Sequence, residues 1–423
     1  MAPGSDSRKT RKVDVSNKER IVCGLDIGTT KTCMLLARVS KNQNLEVVGT
    51  GYALSSGLNK GNVVDIEAAA ACVLKAADEA ELKSGVSIDW VTLGHSGDHV
   101  QSFNCHGAIS IVGKLNQVTP QDMLQVIRAA KAIPMPPGRD ILHILPQEFF
   151  LDNRGGIQNP VGLTGSRLDV NVHVVTCDEF LKQNLVNAVN CAQMRVRRIV
   201  LQQLASAEAV LTPDEKELGV ALIDIGGGTT DIVAFLRKSV HHTSVLPIGG
   251  DHFTRDIAMG TRMPIEEAER IKKETGTVSD DGIAEDALIQ AQVIGKRGMY
   301  GIPRRFVCNI LRERALDVLE LIKADLEDSG IAPHLTAGVV ITGGGSMLDG
   351  LVGLAEETLG IPVRQGLPQG IQGITEDLSH PVYSAVIGLV MYGVLKDGDQ
   401  TMQPARAGAM AWFQNRFLSW VSS

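Results

Sequence analysis

Two patterns of apolar and polar positions alternate along the chain. Short apolar runs end in polar turns that contain glycine, and longer stretches repeat apolar residues at helical spacing. The apolar residues 21–25 run into Asp26-Ile27-Gly28-Thr29-Thr30-Lys31, and a second apolar run follows at 33–39. Short apolar runs on either side of a glycine turn predict a β-hairpin. The helical spacing predicts α-helices at 66–82, 121–133, 264–274 and 311–326.

The hairpin pattern occurs a second time. Residues 220–223 are apolar and run into Asp224-Ile225-Gly226-Gly227-Gly228-Thr229-Thr230-Asp231, with a return strand at 232–235. The two leading aspartates lie 198 residues apart (224 minus 26), which is too long for a solenoid repeat and indicates a duplicated domain. A third glycine turn, Gly343-Gly344-Gly345-Ser346, follows another apolar run, and we expect a helix to begin near Ser346. These patterns predict an α/β protein with two related halves.

Two insertions interrupt the predicted halves. Residues 87–168 combine short alternating segments with one amphipathic helix, which predicts an inserted α+β subdomain, and residues 251–314 form a second insertion. The remaining segments are a basic N-terminal tail at 1–19, a first lobe at 20–86, 169–200 and 376–395, a second lobe at 201–250 and 315–375, a linker at 396–408 and a C-terminal helix at 409–423.

Composition narrows the possible functions. The net charge of -7 and the pI of about 5.8 disfavour nucleic acid as a partner, because binding to phosphate backbones needs a basic surface. The seven cysteines are scattered without a CxxC pair, which is typical of buried thiols in a reducing compartment. No apolar stretch is long enough to span a membrane. We therefore expect a cytoplasmic globular protein.

The glycine turns have the chemistry of a phosphate-binding site. Gly28 and the run 226–228 lack a Cβ and can adopt positive φ, so backbone N–H groups can converge on phosphate oxygens. Asp26 and Asp224 end buried strands and suit the water shell of a Mg²⁺ ion bound to phosphates. Hydroxyl donors are supplied by Thr29, Thr30, Thr229 and Thr230. One such turn is also typical of a plain hairpin, whereas two copies and a third glycine turn favour nucleotide binding.

The three turns resemble the two phosphate turns and the adenosine turn of actin, the DnaK-type chaperones and the sugar kinases. Within that superfamily the chain resembles the FtsA family of bacterial division proteins over residues 20–395. The resemblance implies duplicated actin-like (ribonuclease H-like) domains around a nucleotide cleft, with two inserted subdomains. The strings that carry it are Pro146-Gln147-Glu148, Asn159-Pro160-Val161-Gly162-Leu163-Thr164-Gly165, His173-Val174-Val175-Thr176-Cys177 and Leu218-Gly219-Val220.

The resemblance also implies roles for single residues. Asp26 and Asp224 would position Mg²⁺ through water, and Lys31 would neutralise phosphate charge. The adenosine contacts would come from Glu269, Lys272, Gly343, Gly344, Gly345 and Ser346. Gln203 matches a water-orienting glutamine of actin and is equally interpretable as a helix-surface residue. Asp231 fits either an outer metal contact or a strand cap.

The C-terminal stretch 400–423 contains no acidic residue and two of the three tryptophans. A helix this short fits the membrane interface, although a helix docked on the protein core is the alternative. The predicted membrane contacts are Met410, Trp412, Phe413, Phe417, Leu418 and Trp420. Because one such helix binds only marginally, polymerisation would supply the missing strength through avidity.

These expectations combine into one function. The resemblance implies an ATP-binding, polymerising adaptor, at most a weak ATPase, that tethers the FtsZ ring to the inner face of the cell membrane and recruits later divisome proteins. The FtsZ C-terminal tail would bind at Arg304 and Arg305, and residues 87–168 would form filament contacts with other copies. The alternatives are an ATP-binding protein of type IV pilus assembly and a small-molecule kinase on the same fold.

Overall fold

The computed structural model describes residues 20–40, 44–112, 115–132 and 134–395. Two lobes, each built on a five-stranded sheet, flank a cleft, and each lobe carries an insertion. The predicted N-terminal tail at 1–19, the linker at 396–408 and the helix at 409–423 lie outside the described residues. The membrane-contact residues predicted between Met410 and Trp420 lie outside them too.

The first lobe begins with the predicted hairpin. Strands β1 and β2 pair antiparallel, with Asp26 opposite Cys33, and β1 also pairs in parallel with β6. The sheet order is β11-β6-β1-β2-β3. Its elements are β1 (Arg20–Ile27), β2 (Lys31–Val39), β3 (Leu45–Leu54), β4 (Leu58–Asn59), β5 (Asn62–Val63), α1 (Ile66–Ser84) and β6 (Trp90–His95).

The first insertion is a four-stranded sheet of order β7-β10-β8-β9, covered by helix α2. Thr119 caps α2 with a reciprocal capping box, as its Thr-Pro start predicts. Its elements are β7 (Gln101–Ser110), α2 (Pro120–Lys131), β8 (Arg139–Leu151), β9 (Arg154–Ile157) and β10 (Arg167–Asp178). The predicted boundaries at 87 and 168 were wrong. Buried β6 belongs to the first-lobe sheet, and β10 continues unbroken to Asp178 because its length pairs with β7 and β8.

The chain then returns to the first lobe and crosses to the second. The connecting elements are α3 (Glu179–Cys191), β11 (Arg195–Leu201), α4 (Gln202–Val210) and α5 (Pro213–Leu218). The second hairpin forms as predicted, with Asp224 opposite Asp231, in a sheet of order β14-β13-β12-β17-β18. This lobe begins with β12 (Val220–Ile225), β13 (Thr230–Leu236), β14 (Ser239–Leu246), α6 (Gly250–Thr261) and α7 (Ile265–Thr275).

The rest of the second lobe contains the second insertion and its return to the sheet. The long helix begins at Arg304, earlier than position 311, because Pro303 supplies its N-cap and no breaker follows. No helix within the described ranges combines the length and apolarity needed to cross a membrane. The elements are β15 (Leu288–Gln292), β16 (Met299–Pro303), α8 (Arg304–Asp328), β17 (Val339–Thr342), α9 (Leu351–Leu359), β18 (Val363–Gln365) and α10 (Ser384–Leu395).

Helices α4 and α10 cross at the centre and join the two halves. A Cβ on Gly388 would lie 1.8 Å from the carbonyl oxygen of Ala205, so glycine permits the close crossing. One apolar core runs through both lobes and includes Leu35, Leu204 and Leu222. The two hairpins are therefore held in a fixed relation to the same pair of helices.

Candidate nucleotide-binding site

The two hairpins reach the cleft with the same backbone turn. The Gly28 N–H donates to the Lys31 carbonyl at 2.9 Å, and the Gly226 N–H donates to the Thr229 carbonyl at 2.9 Å. None of the four glycines at 28 and 226–228 has a positive φ, contrary to one of the two reasons predicted for them. The absence of a Cβ is what these positions use.

The tips of the two turns fit into each other. A Cβ on Gly227 would lie 1.8 Å from Thr30 Oγ1, and one on Gly228 would lie 2.6 Å from Thr29 Oγ1. Behind the tips is a cavity of ~30 Å³, enough for about two water molecules. Its wall includes Gly28, Thr29, Ser96, Gln202, Gly226 and Thr229.

Three buried aspartates lie on the two hairpins: Asp26 on the first, and Asp224 and Asp231 on the second. Asp224 Oδ2 accepts a hydrogen bond from Ser206 Oγ at 2.6 Å, and Asp231 accepts hydrogen bonds from Ser96 and Thr229. Asp26 is only 3% exposed, and its Oδ1 has no hydrogen-bond partner within the described part of the chain. A buried carboxylate oxygen without a partner is costly, so the site favours a cation or its bound water.

The electrostatics of the three carboxylates are coupled. Burial raises the pKa of Asp26 to about 6, while the Lys31 cation lowers it and Asp224 raises it. Burial raises the pKa of Asp231 to about 7, against the hydrogen bond from Ser96, and Asp224 adds to the increase. Burial also raises the pKa of Asp224, whereas Ser206 and Lys31 lower it. Burial thus opposes the ionisation of all three carboxyls, and Asp224 adds to the increase in pKa of Asp26 and Asp231. A bound divalent cation would favour the ionised forms.

The third glycine turn lies directly against the second hairpin. Gly343 has φ of 83°, and a Cβ there would lie 2.2 Å from Asp224 Oδ1. A 3₁₀ turn at Gly344–Met347 follows, and Ser346 Oγ donates to the Gly343 carbonyl at 2.7 Å. The helix predicted near Ser346 begins only at Leu351, because Gly350 takes a left-handed conformation at its N-cap. The predicted adenosine turn and phosphate turn are therefore neighbours.

Glu269 and Lys272 form an ion pair beside the phosphate turn of the second lobe. Lys272 Nζ lies 2.7 Å from Glu269 Oε2 and donates to the Gly250 carbonyl at 2.9 Å. The Gly250 N–H in turn donates to the Gly226 carbonyl at 2.8 Å. Although burial opposes it, the Lys272 cation holds the pKa of Glu269 down at about 2. Gly250 therefore connects this predicted ion pair to the glycine turn at Gly226 by two hydrogen bonds.

Two other predicted residues point elsewhere. Gln203 is fully buried, and its amide donates to the Ser244 carbonyl at 3.2 Å, so the structure does not bring it to the cavity. Gln202, one position earlier, lines the cavity instead. Lys31 Nζ donates to the Val382 carbonyl and lies 4.8 Å from the Tyr383 ring centroid. Its charge acts on Asp26 and Asp224 from that position.

The predicted partner residues, Arg304 and Arg305, lie in the first turn of α8. Arg304 donates to the Thr275 carbonyl at 3.3 Å, and Arg305 donates to the Ile283 carbonyl at 2.9 Å. Arg304 therefore contacts the last residue of α7, and Arg305 contacts the loop that follows this helix. They lie on the second insertion, apart from the cavity between the hairpins.

Sequence reasoning missed several residues of the site. Ser206 and Ser96 hold the two aspartates of the second hairpin, Asp251 Oδ1 accepts from Thr30 at 3.4 Å, and the Gly61 N–H donates to Thr29 Oγ1 at 3.1 Å. Ser96 follows the carboxyl end of the parallel strand β6, where ligand sites of such sheets lie. That rule would have found Ser96, whereas Ser206 gives no signal in an alanine-rich helix.

The fold and the paired turns define a protein with an actin-like fold. A protein of the PilM–PilN type IV pilus biogenesis complex superposes with a TM-score of 0.63 at 18% identity, covering 88% of this chain and 98% of its own. MreB5 of Spiroplasma citri, solved with ADP bound, gives a TM-score of 0.51 at 16% identity, covering 88% and 94%. At such identities these likenesses establish the fold alone.

Sequence comparison identifies the family. The family model "Cell division protein FtsA" matches residues 221–388, and the model "SHS2 domain inserted in FTSA" matches residues 97–176. The FtsA of Pseudomonas aeruginosa is 40% identical, covering 90% of this chain and 91% of its own length. The FtsA of Escherichia coli K12 is 33% identical, covering 95% and 97%. The chain belongs to the FtsA family of cell division proteins, and the pilus and kinase alternatives are not favoured.

Proposed function

We propose that the cleft binds ATP with Mg²⁺. The observation that carries this proposal is the meeting of two glycine turns above the buried carboxylates Asp26 and Asp224. The residues fit the group, because oxygen ligands suit Mg²⁺ and the unsatisfied Asp26 Oδ1 needs a cation or its water. Within the described ranges no three acidic, histidine or cysteine side chains form a direct ligand set. The aspartates would therefore hold the ion through its water shell.

Each residue of the site has a stated task in this proposal. Ser206 fixes the orientation of the Asp224 carboxylate, and the turn N–H groups and threonine hydroxyls bind phosphate oxygens. When bound, Mg²⁺ supplies the positive charge that phosphates and aspartates share. Gln202 lies in the cavity wall, where its amide can orient a water near the terminal phosphate. A glutamine is a weak activating group, which fits slow hydrolysis at most.

The adaptor part of the proposal rests on family membership and on two surfaces. We place the FtsZ C-terminal tail at Arg304 and Arg305, since acidic residues of a peptide pair well with arginine. The insertion between residues 97 and 176 carries no nucleotide turn and is free to contact another copy in a filament. The C-terminal residues 409–423 would lie in the inner face of the cell membrane, and other division proteins would join the filament there.

A bridging experiment tests the adaptor function. Purified FtsZ should co-sediment with anionic vesicles only when this protein and Mg·ATP are present. Deleting residues 405–423 should abolish recruitment, and Arg304→Glu should abolish it without changing ATP affinity. The matched control is Arg154→Glu, which reverses the charge of an exposed arginine on the other insertion. This control is compared with Arg304→Glu in the binding of the FtsZ tail peptide alone. Full recruitment by the Arg304→Glu variant would place the FtsZ receptor elsewhere.

A further inference from the structure

Four arginines lie at the end of the first-lobe sheet where its parallel strands begin. Strands β1, β6 and β11 run parallel, so their first residues, Arg20, Trp90 and Arg195, lie at the same edge. The opposite ends of β1 and β6 lead to the nucleotide cleft. Arg197 and Arg198 follow on β11. We call the set Arg20, Trp90, Arg195, Arg197 and Arg198 the basic edge.

Helix α10 ends at the basic edge. Its first residue, Ser384, lies at the cleft, where its hydroxyl is 2.7 Å from Thr342 Oγ1. Near its other end, a Cβ on Gly393 would lie 3.1 Å from Thr92 Oγ1, close to the start of β6. Arg198 donates to the Tyr392 carbonyl at 3.4 Å. The chain therefore leaves the described fold at Leu395 beside these arginines.

The basic edge joins cationic and aromatic groups. Trp90 is 49% exposed, and the Arg195 guanidinium lies 5.4 Å from its ring centroid. Burial and the charge of Arg197 lower the pKa of Arg20, and burial, Arg197 and Arg20 lower the pKa of Arg198. The arginines thus repel one another in a chain whose net charge is -7.

A purely structural role explains only part of this set. Arg198 stabilises the C-terminal end of α10, where a cation is favourable. That role does not involve the exposed Arg195 or the exposed Trp90. Arginine forms paired hydrogen bonds with phosphate, and tryptophan is enriched where membranes meet water. The same combination of residue types is what an anionic lipid surface recruits.

We propose that the basic edge is a second membrane contact, at which its arginines bind the phosphates of anionic lipid headgroups and Trp90 enters the interface. This inference rests on the proposed membrane helix at 409–423. The 13 residues 396–408 lie between Leu395 and that helix, and a random-coil chain of 13 residues has an end-to-end distance of roughly 20 Å on average. A tail in the bilayer therefore holds the basic edge close to the headgroups, with the nucleotide turns pointing away.

Vesicle co-sedimentation of the full chain, below the concentration at which it polymerises, tests the proposal. Arg195→Gln with Arg197→Gln should weaken binding to phosphatidylglycerol-containing vesicles about tenfold and leave binding to pure phosphatidylcholine vesicles unchanged. The control pair, Lys296→Gln with Arg297→Gln, removes the same charge from a second-lobe loop and should change neither.

The outcomes separate the two proposals. Loss of binding on deleting residues 405–423, with full anionic binding by the Arg195→Gln/Arg197→Gln variant, would overturn the basic edge and keep the membrane helix. An equal loss for that variant on neutral vesicles would overturn it as well, since it would show no role for lipid charge. Undiminished binding after the deletion would contradict the membrane helix itself.

Trp90 supplies a second, spectroscopic readout. In a Trp412→Phe/Trp420→Phe variant it is the remaining tryptophan of the three in the chain. Its emission should shift to the blue and be quenched by brominated lipid when the protein binds anionic vesicles. An unshifted, unquenched Trp90 in vesicle-bound protein would place this edge away from the bilayer.

Discussion

The two hairpins share one backbone design and divide its chemistry between them. Both place an aspartate at the end of a buried strand and close the turn with the same 2.9 Å hydrogen bond. At the tips, Thr29 and Thr30 of the first hairpin correspond to Gly227 and Gly228 of the second. The threonine side chains occupy the space that the glycines leave free. The duplicated turns have therefore become complementary, and neither explains the cleft alone.

The charge is divided in the same way. The first hairpin carries Lys31 where the second has Thr229, and it carries buried Cys33 where the second has Asp231. The cation of the first hairpin lowers the pKa of both Asp26 and Asp224, while the second holds the extra carboxyl. The comparison indicates that each hairpin supplies one aspartate, while the first adds the Lys31 cation and the second adds Asp231.

Making the hairpins alike should have the largest effect. Cys33→Asp puts a carboxylate in the apolar core behind the first hairpin, where Cys33 is only 1% exposed. We expect the free energy of unfolding to fall by about 4 kcal/mol, because a buried charge without a partner is strongly destabilising. Urea denaturation measures it, with Cys33→Ser as the control of similar volume. Equal stability of the two variants would show that the hairpins are interchangeable.

Adding a methyl group at the glycine tip of the second hairpin should have the next largest effect. Gly227→Ala places a methyl group against Thr30, and we expect ATP affinity to fall about 100-fold, within the range for overpacking. Thr30→Ala alone removes one proposed phosphate contact, and adding it to Gly227→Ala should bring the affinity back to that of the Thr30→Ala variant, measured by calorimetry. The control is Gly353→Ala in α9, where a Cβ would meet no atom within 4 Å. Failure of the double variant to recover would reject the complementary fit.

The buried aspartates should make the free energy of unfolding depend on pH. The pKa values of Asp231 and Asp26 are about 7 and about 6, against 3.8 unfolded. The folded protein thus binds more protons between these values, and stability falls as the pH rises through that window. Without nucleotide, we expect a loss of about 4 kcal/mol between about pH 5 and 8.

Asp231→Asn should flatten that profile. Asp178→Asn is the control, because backbone hydrogen bonds lower the pKa of Asp178 and its contribution is lost only in more acidic solution. Chemical denaturation at a series of pH values measures both variants. An unchanged slope for Asp231→Asn would mean that this carboxyl is not the group that titrates.

Much of the fold was predictable because its signals are local. The two hairpins and helix α1 follow from apolar runs and glycine turns, and α2 from its Thr119 cap. The boundaries of the insertion were not predictable in the same way. β6 is short and buried, so its pattern does not reveal which sheet it joins. β10 runs past the predicted boundary at 168 because it pairs with β7 and β8, and these pairings are visible only in the three-dimensional structure.

The positions of Asp26, Asp224 and Gly343 at the candidate site were predictable, because each residue follows an apolar strand and begins or lies in a glycine turn. The site was not predictable where helix phase decides which side chain faces the cleft. Gln202 and Gln203 differ by one position, or about 100° around α4, and only the first lines the cavity. Ser206 Oγ reaches Asp224 through tertiary packing across 18 residues of sequence.

The central claim is that both hairpins hold one Mg·ATP between them. Calorimetry of ATP binding with and without Mg²⁺, on Asp26→Asn and Asp224→Asn, tests it most directly, because asparagine keeps the shape and removes the charge. The account predicts that each variant binds Mg·ATP about tenfold more weakly and that both lose the increment that Mg²⁺ gives the parent protein. If one variant kept the full affinity and the full Mg²⁺ increment, the nucleotide would be held by a single hairpin and the account would be contradicted.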